Sequence, residues 1–301
     1  MPRSRRAENV DGAFLRRWPL PRIDPKGGKE SRGTVLVVGG APQMPGAIIL
    51  AATAALRAGA GKLQIATVRS IASMVGAQVP EALVVGLPET REGGIAPSGA
   101  REIAKRAEDS TAVLVGPGMV DTRAATKLVL DLMGRIRKAP VLLDAEALAC
   151  ASVEPRAMAS ASTEIAVTPH AREMAKMLEI DPAEVTRNPA AIAIQAARAL
   201  KAIVALKGSE TFIASPSGRL LCNRLAGNAG LGTSGSGDAL AGIAAGLAAR
   251  GADLLQALAW AVFLHGRAGD ALARKVGPVG YLARELLAEV PRELARLSRR
   301  R

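Results

Sequence analysis

Gly227-Asn228-Ala229-Gly230-Leu231-Gly232-Thr233-Ser234-Gly235-Ser236-Gly237-Asp238-Ala239-Leu240 sets five glycines within eleven residues and then a carboxylate. Beyond it the pattern turns helical, with Leu240, Ile243, Leu247 and Ala248 on one face. A glycine-rich loop that opens a helix is a place for an anion. The first-turn N–H groups lack intrahelical partners, the helix dipole is positive there, and glycine lets the backbone come close. Gly235, Ser236 and Gly237 are the expected anion loop. A carboxylate facing a phosphate repels it unless its task is to take a proton from an attacking hydroxyl. Loop, helix start and Asp238 therefore read as a phosphoryl-transfer site with Asp238 as base. The simpler reading, an Asp that only stabilises the helix dipole, is open on this stretch alone.

Upstream, short apolar runs alternate with helical patterns. Thr34–Val38, Leu63–Thr67, Ala82–Val85, Ala112–Val115, Val141–Leu143, Ile165–Val167 and Ile203–Leu206 read as buried strands. Helices are expected over about 45–57, 69–77, 100–108, 122–134, 188–200, 236–250, 253–272 and 281–298. Pro45 suits a first helical turn, and Asp253 an N-cap. Thr211–Ala214 and Leu220–Cys222, joined by Pro216-Ser217-Gly218, predict an antiparallel hairpin at one edge. The fold class is α/β, a single domain with a mostly parallel central sheet flanked by helices. Residues 33–298 form that domain. Residues 1–32 read as an irregular basic lead-in, anchored by Trp18-Pro19, and 299–301 as a basic tail.

Of 301 residues, 49% are apolar but only 2% aromatic, so the core is built from Ala, Leu, Val and Ile. The net charge is +13, concentrated at the ends. Residues 1–32 hold nine Lys/Arg against four Asp/Glu, and residues 291–301 hold five against one. With almost no aromatic stacking platform, specific nucleic-acid binding is not expected. No apolar run reaches the ~20 residues of a membrane span, and no signal-peptide core follows Arg3, Arg5 and Arg6, so a cytoplasmic protein is expected. Cys150 and Cys222 offer no disulfide framework and no metal spacing, and read as buried thiols.

In open α/β sheets, ligands bind beyond the carboxyl ends of the strands. Those ends carry Gly39-Gly40, Gly116-Pro117-Gly118, Asp144, Thr168-Pro169-His170 and Lys207-Gly208. The set suits a nucleotide and a second substrate, with Mg²⁺ as charge partner. Asp144 is either structural or a carboxylate that orients water around Mg²⁺. His170 either caps a helix or serves the site, and His265, inside an apolar helix, reads as a core residue. No residue is assigned as a metal ligand. There is no Walker A loop, no strand-borne GxGxxG and no catalytic triad pattern.

Seven segments occur in one order: Met44-Pro45-Gly46-Ala47, Leu56-Arg57-Ala58-Gly59-Ala60-Gly61, Gly116-Pro117-Gly118, Asp144-Ala145-x-Ala147-Leu148, Thr168-Pro169-His170-x-x-Glu173-Met174, Leu206-Lys207-Gly208-x-x-Thr211 and Gly235-x-Gly237-Asp238. Over residues 18 to 296 the chain resembles the ADP/ATP-dependent NAD(P)H-hydrate dehydratases of the ribokinase-like superfamily. The resemblance implies a lyase of metabolite repair. The S epimer of hydrated NADH or NADPH is dehydrated by phosphorylation and phosphate elimination, with ADP or ATP as co-substrate and Mg²⁺ as cofactor. It implies that Ala47, Gly118, His170 and Asp238 contact the hydrated nucleotide, and that Lys207, Gly208, Ser209, Glu210, Thr211 and Gly237 contact the adenine nucleotide. It also implies a homo-oligomer, a tetramer. Two positions depart from the family pattern: Ser234 stands for a glycine, and Glu146 for the second aspartate of Asp-Ala-Asp. The epimerase domain often fused to this family is expected to be a separate protein. The alternative on the same loop is a ribokinase-like kinase that phosphorylates a small alcohol such as a vitamin precursor.

Overall fold

The computed structural model describes residues 7–298. The first six residues and the expected tail at 299–301 lie outside the described residues. Strand β1 (Glu8–Asn9) and helix α1 (Gly12–Arg17) come first. Then β2 (Thr34–Val38) leads to α2 (Pro45–Arg57), β3 (Lys62–Val68) to α3 (Arg69–Gln78), β4 (Ala82–Leu87) to α4 (Ala100–Glu108), and β5 (Ala112–Val115) to α5 (Thr122–Arg135). The short β6 (Val141–Leu143) is followed by α6 (Ala149–Val153) and α7 (Pro155–Ala159), and β7 (Ile165–Val167) by α8 (Ala171–Leu178), α9 (Pro182–Arg187) and α10 (Pro189–Leu200). After β8 (Ile203–Leu206) come the hairpin strands β9 (Thr211–Ala214) and β10 (Leu220–Asn223), and then α11 (Ser236–Ala249), α12 (Leu254–Lys275) and α13 (Ala283–Ser298).

The ten strands form one sheet in the order β1-β10-β9-β8-β7-β6-β5-β2-β3-β4. From β4 to β8 all pairings are parallel. Val35, Leu36, Val37, Val38 and Val113–Val115 are fully buried, as expected of strands covered by helices on both faces. Because β5, β6, β7 and β8 are adjacent and parallel, their carboxyl ends bring residues 116, 144, 168 and 207 to one rim of the sheet.

The expected irregular lead-in is corrected by the structure. Residues 8–9 pair in parallel with Leu221 and Cys222, so the hairpin is not the edge of the sheet. Asp11 caps α1 by accepting from the Phe14 amide (2.7 Å). Trp18 does act as an anchor. Its carbonyl accepts from the Trp260 indole (2.9 Å) and from Gln256 (3.2 Å), and the Arg219 guanidinium lies 4.6 Å from its ring centre. Chain order alone hides this, because the partners lie more than two hundred residues away.

One helix contact positions the site. A Cβ at Gly242 would run into the Ala51 carbonyl, and one at Gly246 into the Ala55 carbonyl. The Ala- and Gly-rich composition therefore lets α11 and α2 meet backbone to backbone. This seats the anion loop at the start of α11 against the helix that follows Gly39-Gly40.

Candidate active site

At the rim, Asp144 is almost wholly buried at the end of β6. Its Oδ1 accepts from Thr168 Oγ1 (2.6 Å), at the end of β7, and from Lys207 Nζ (2.7 Å), at the end of β8. A carboxylate removed from water needs such partners. Burial alone would lower the Lys207 ammonium, but the carboxylates of Asp144, Glu173 and Asp238 outweigh it and hold it above the usual lysine range. Lys207 is thus a fixed cation. Its Nζ lies 3.6 Å from where a Cβ on Gly237 would stand, beside the anion loop.

Gly235 is the N-cap of α11 with φ +86°, and a Cβ there would stand 2.6 Å from Leu50 Cδ1. Only glycine serves both constraints. The Ser236 amide donates back to the Thr233 carbonyl (3.2 Å), which removes it from the expected set of anion donors. The amides of Gly235 and Gly237 remain for the ligand. Asp238 lies in the first turn, half-buried. Burial, followed by the negative charge of Asp144, raises its carboxyl from 3.8 to about 6, with Lys207 acting in the opposite direction. A carboxylate poised there is ionised at neutral pH and still basic enough to accept a proton.

A cavity of about 750 Å³ opens beside this loop, a size suited to a nucleotide. Lys207, Gly208, Ser209 and Thr211 line one side, and Ser236 and Gly237 close its inner end. Glu210 is not on that wall. It is exposed and pairs with Arg224 (3.2 Å), because the register of β9 with β10 sets Thr211 opposite Asn223 and so brings the two flanking side chains together. Residues 227–229, 231 and 232 form another part of the cavity wall. Their shape is held by Asn228, which accepts from the Gly230 amide (3.0 Å) and from the Tyr281 hydroxyl (2.7 Å) and donates to Asp270 (3.2 Å). The glycine run pointed to this wall, but nothing local to it pointed to Tyr281 or Asp270.

His170 caps α8. Its Nδ1 accepts from the Arg172 and Glu173 amides (3.1 and 3.2 Å), and the Glu173 carboxylate accepts in turn from the His170 amide (2.7 Å). The residue also lines the cavity, so capping and lining coexist. Ala47, in the first turn of α2, and Gly118, just beyond β5, form a second patch. A Cβ on Gly118 would be 2.9 Å from that of Ala47, and neither residue lines the nucleotide-sized cavity. His265 is buried, as expected of a core residue, but it touches the loop. Its Nε2 is 3.0 Å from Ser236 Oγ. Among the described residues no group of three or more His, Cys, Asp or Glu could hold a metal, and no helix is long and apolar enough to cross a membrane.

A sequence model of the family described as NAD(P)H-hydrate dehydratase matches residues 35–292. An ADP-dependent (S)-NAD(P)H-hydrate dehydratase of Xanthomonas campestris is 46% identical over 294 residues, 98% of either chain. Among solved structures, the ADP/ATP-dependent NAD(P)H-hydrate dehydratase of Bacillus subtilis, co-crystallised with ATP and Mg²⁺, matches with TM-score 0.84 and 28% identity. The match covers 98% of this chain and 100% of that one. A ribokinase-like superfamily protein of Enterococcus faecalis, 24% identical, shares the fold with TM-score 0.81 over 97% and 96% of the two chains. By the extent of these matches the chain belongs to the NAD(P)H-hydrate dehydratase family.

Proposed function

We propose that the protein dehydrates the S epimer of hydrated NADH or NADPH at the expense of ADP or ATP. The observation that carries this reading is the placement of Asp238. Its carboxylate stands in the first turn of α11, with two loop amides and the fixed Lys207 cation beside it. The adenine nucleotide occupies the cavity between Lys207–Thr211 and residues 227–232. The hydrated ring approaches from the Ala47–Gly118 patch, with His170 at the rim.

Asp238 takes the proton of the ring hydroxyl, and the oxygen attacks the terminal phosphorus. The bond from that phosphorus to the bridging oxygen breaks, releasing AMP from ADP or ADP from ATP. Lys207 and the Gly235 and Gly237 amides stabilise the charge that develops. Phosphate then departs with the C–O electron pair, assisted by the ring nitrogen. Loss of a proton from the neighbouring ring carbon restores the dihydropyridine.

The donor set suits Mg²⁺ carried in by the nucleotide. Such an ion would take phosphate oxygens and water, with Asp144 as the carboxylate that would orient that water, which leaves Asp238 to accept the proton. Bound there, it would neutralise phosphate charge.

The test is absorbance at 340 nm after mixing hydrated NADH, Mg²⁺ and ADP or ATP with the unaltered protein and with Asp238→Asn. Nucleotide-dependent return of NADH, lost by about a hundredfold or more in the variant, supports the reading. Failure of NADH to return with either nucleotide overturns it, and a stable phosphorylated alcohol formed instead would point to a small-molecule kinase.

A further inference from the structure

Ser236 and His265 form a buried pair that proton transfer by Asp238 does not use. They are 5% and 9% exposed, belong to the first turn of α11 and the middle of α12, and both face the nucleotide cavity. Burial in the apolar α12 packing, with Lys207 adding to it, keeps the His265 ring neutral by lowering its value to about 4. A neutral imidazole has one N–H, and its location decides what Ser236 can do. With Nε2 bare, the serine hydroxyl would spend its proton on the ring and turn lone pairs toward the phosphate. With Nε2 protonated, Ser236 Oγ accepts from the ring, and the hydroxyl proton is free to point into the cavity. One observation favours the second arrangement. The Ser236 amide is already committed to Thr233, so the hydroxyl is the donor this residue has left for an anion.

We propose that His265 is a positioning residue for the nucleotide phosphate: its Nε2–H donates to Ser236 Oγ and so aims the Ser236 hydroxyl at a phosphate oxygen. This rests on the nucleotide-dependent reading of the cavity. It explains why a histidine, costly to bury, stands among the apolar residues of α12.

Two measurements test it. Long-range ¹H–¹⁵N correlation of the imidazole nitrogens reads the tautomer directly, and with two histidines in the chain a His170→Asn variant assigns them. The expected result is neutral His265 with the proton on Nε2. Calorimetric titration with Mg·ADP and Mg·ATP then compares Ser236→Ala, His265→Leu, the double variant and His265→Gln. Each single loss should weaken binding by about tenfold, as expected for a hydrogen bond to a charged group. The double variant should be worse by no more than about twofold, because both remove one coupled unit. His265→Gln keeps a donor and should recover most of the affinity. Should His265→Leu fail to fold, Ser236→Ala and the tautomer still decide. An Nδ1–H tautomer, additive losses, or unchanged affinity in Ser236→Ala overturns this proposal alone. Failure of the unaltered protein to bind either nucleotide overturns it together with the proposed reaction.

Discussion

Replacing Asp238 by Asn should abolish activity and yet make the protein more stable at neutral pH. The carboxyl titrates at about 6 in the folded chain against 3.8 as the ordinary value, because burial and Asp144 penalise its charge more than Lys207 favours it. Once ionised, such a group favours unfolding. The penalty is absent below about pH 3.8, grows as the pH rises toward about 6, and is complete above that. At about 1.4 kcal/mol per pH unit the difference amounts to roughly 3 kcal/mol. Partial exposure of the side chain and solvent screening reduce it to roughly 1–2 kcal/mol. For a domain of this size that is a rise in Tm of about 2–5 °C. The assay is thermal unfolding followed by circular dichroism at several pH values between 4 and 8, with the unaltered protein alongside. The variant should melt higher at pH 7.5, and the gap should close toward pH 4. A variant that melts lower at pH 7.5, or a gap that does not change with pH, would refute the assignment of Asp238 as a strained, functionally placed carboxylate.

In the unaltered protein kcat/KM should fall about tenfold between pH 7 and pH 5, following protonation of Asp238; a flat profile over that range would exclude Asp238 as the base. Asp144→Asn should move this acidic limb to lower pH, since the charge that raises Asp238 is gone, and should cost about 3 kcal/mol in urea unfolding because Lys207 loses its buried partner. Gly235→Ala forces a side chain into a left-handed conformation against Leu50; it should cost about 1–2 kcal/mol and most of the nucleotide affinity, read by calorimetry. Gly242→Ala places a methyl on the Ala51 carbonyl and should lower Tm while changing activity, since α11 must move away from α2 to make room.

Much of this architecture is legible along the chain. Unbroken short runs such as Val35–Val38 and Ala112–Val115, alternating with helical patterns, read as strands of a doubly covered sheet, and the polar residues that follow such runs at 144 and 207 mark the rim. What escapes a linear reading is pairing at a distance. Glu8-Asn9 has no strand pattern and becomes a strand because β10 offers it an edge. Asp144 and Lys207 are each conspicuous at a strand end, but their ion pair spans sixty-three positions and follows from strand order. Glu210 sits in a segment whose neighbours line the cavity, and the register of β9 with β10, invisible in chain order, brings it to Arg224. His265 is recognisable as buried from its apolar helix, whereas its bond to Ser236 depends on how two helices cross.

The contact of Gly242 and Gly246 with Ala51 and Ala55 acts as a ruler. Because main chain meets main chain, the span between the anion loop at the start of α11 and the Ala47–Gly118 patch is set by peptide geometry and not by the bulk of any side chain. Core substitutions elsewhere can erode or improve thermal tolerance and leave that span untouched. Catalytic reach and overall robustness can therefore drift independently during evolution, except at these few small residues, where a single added methyl would alter both.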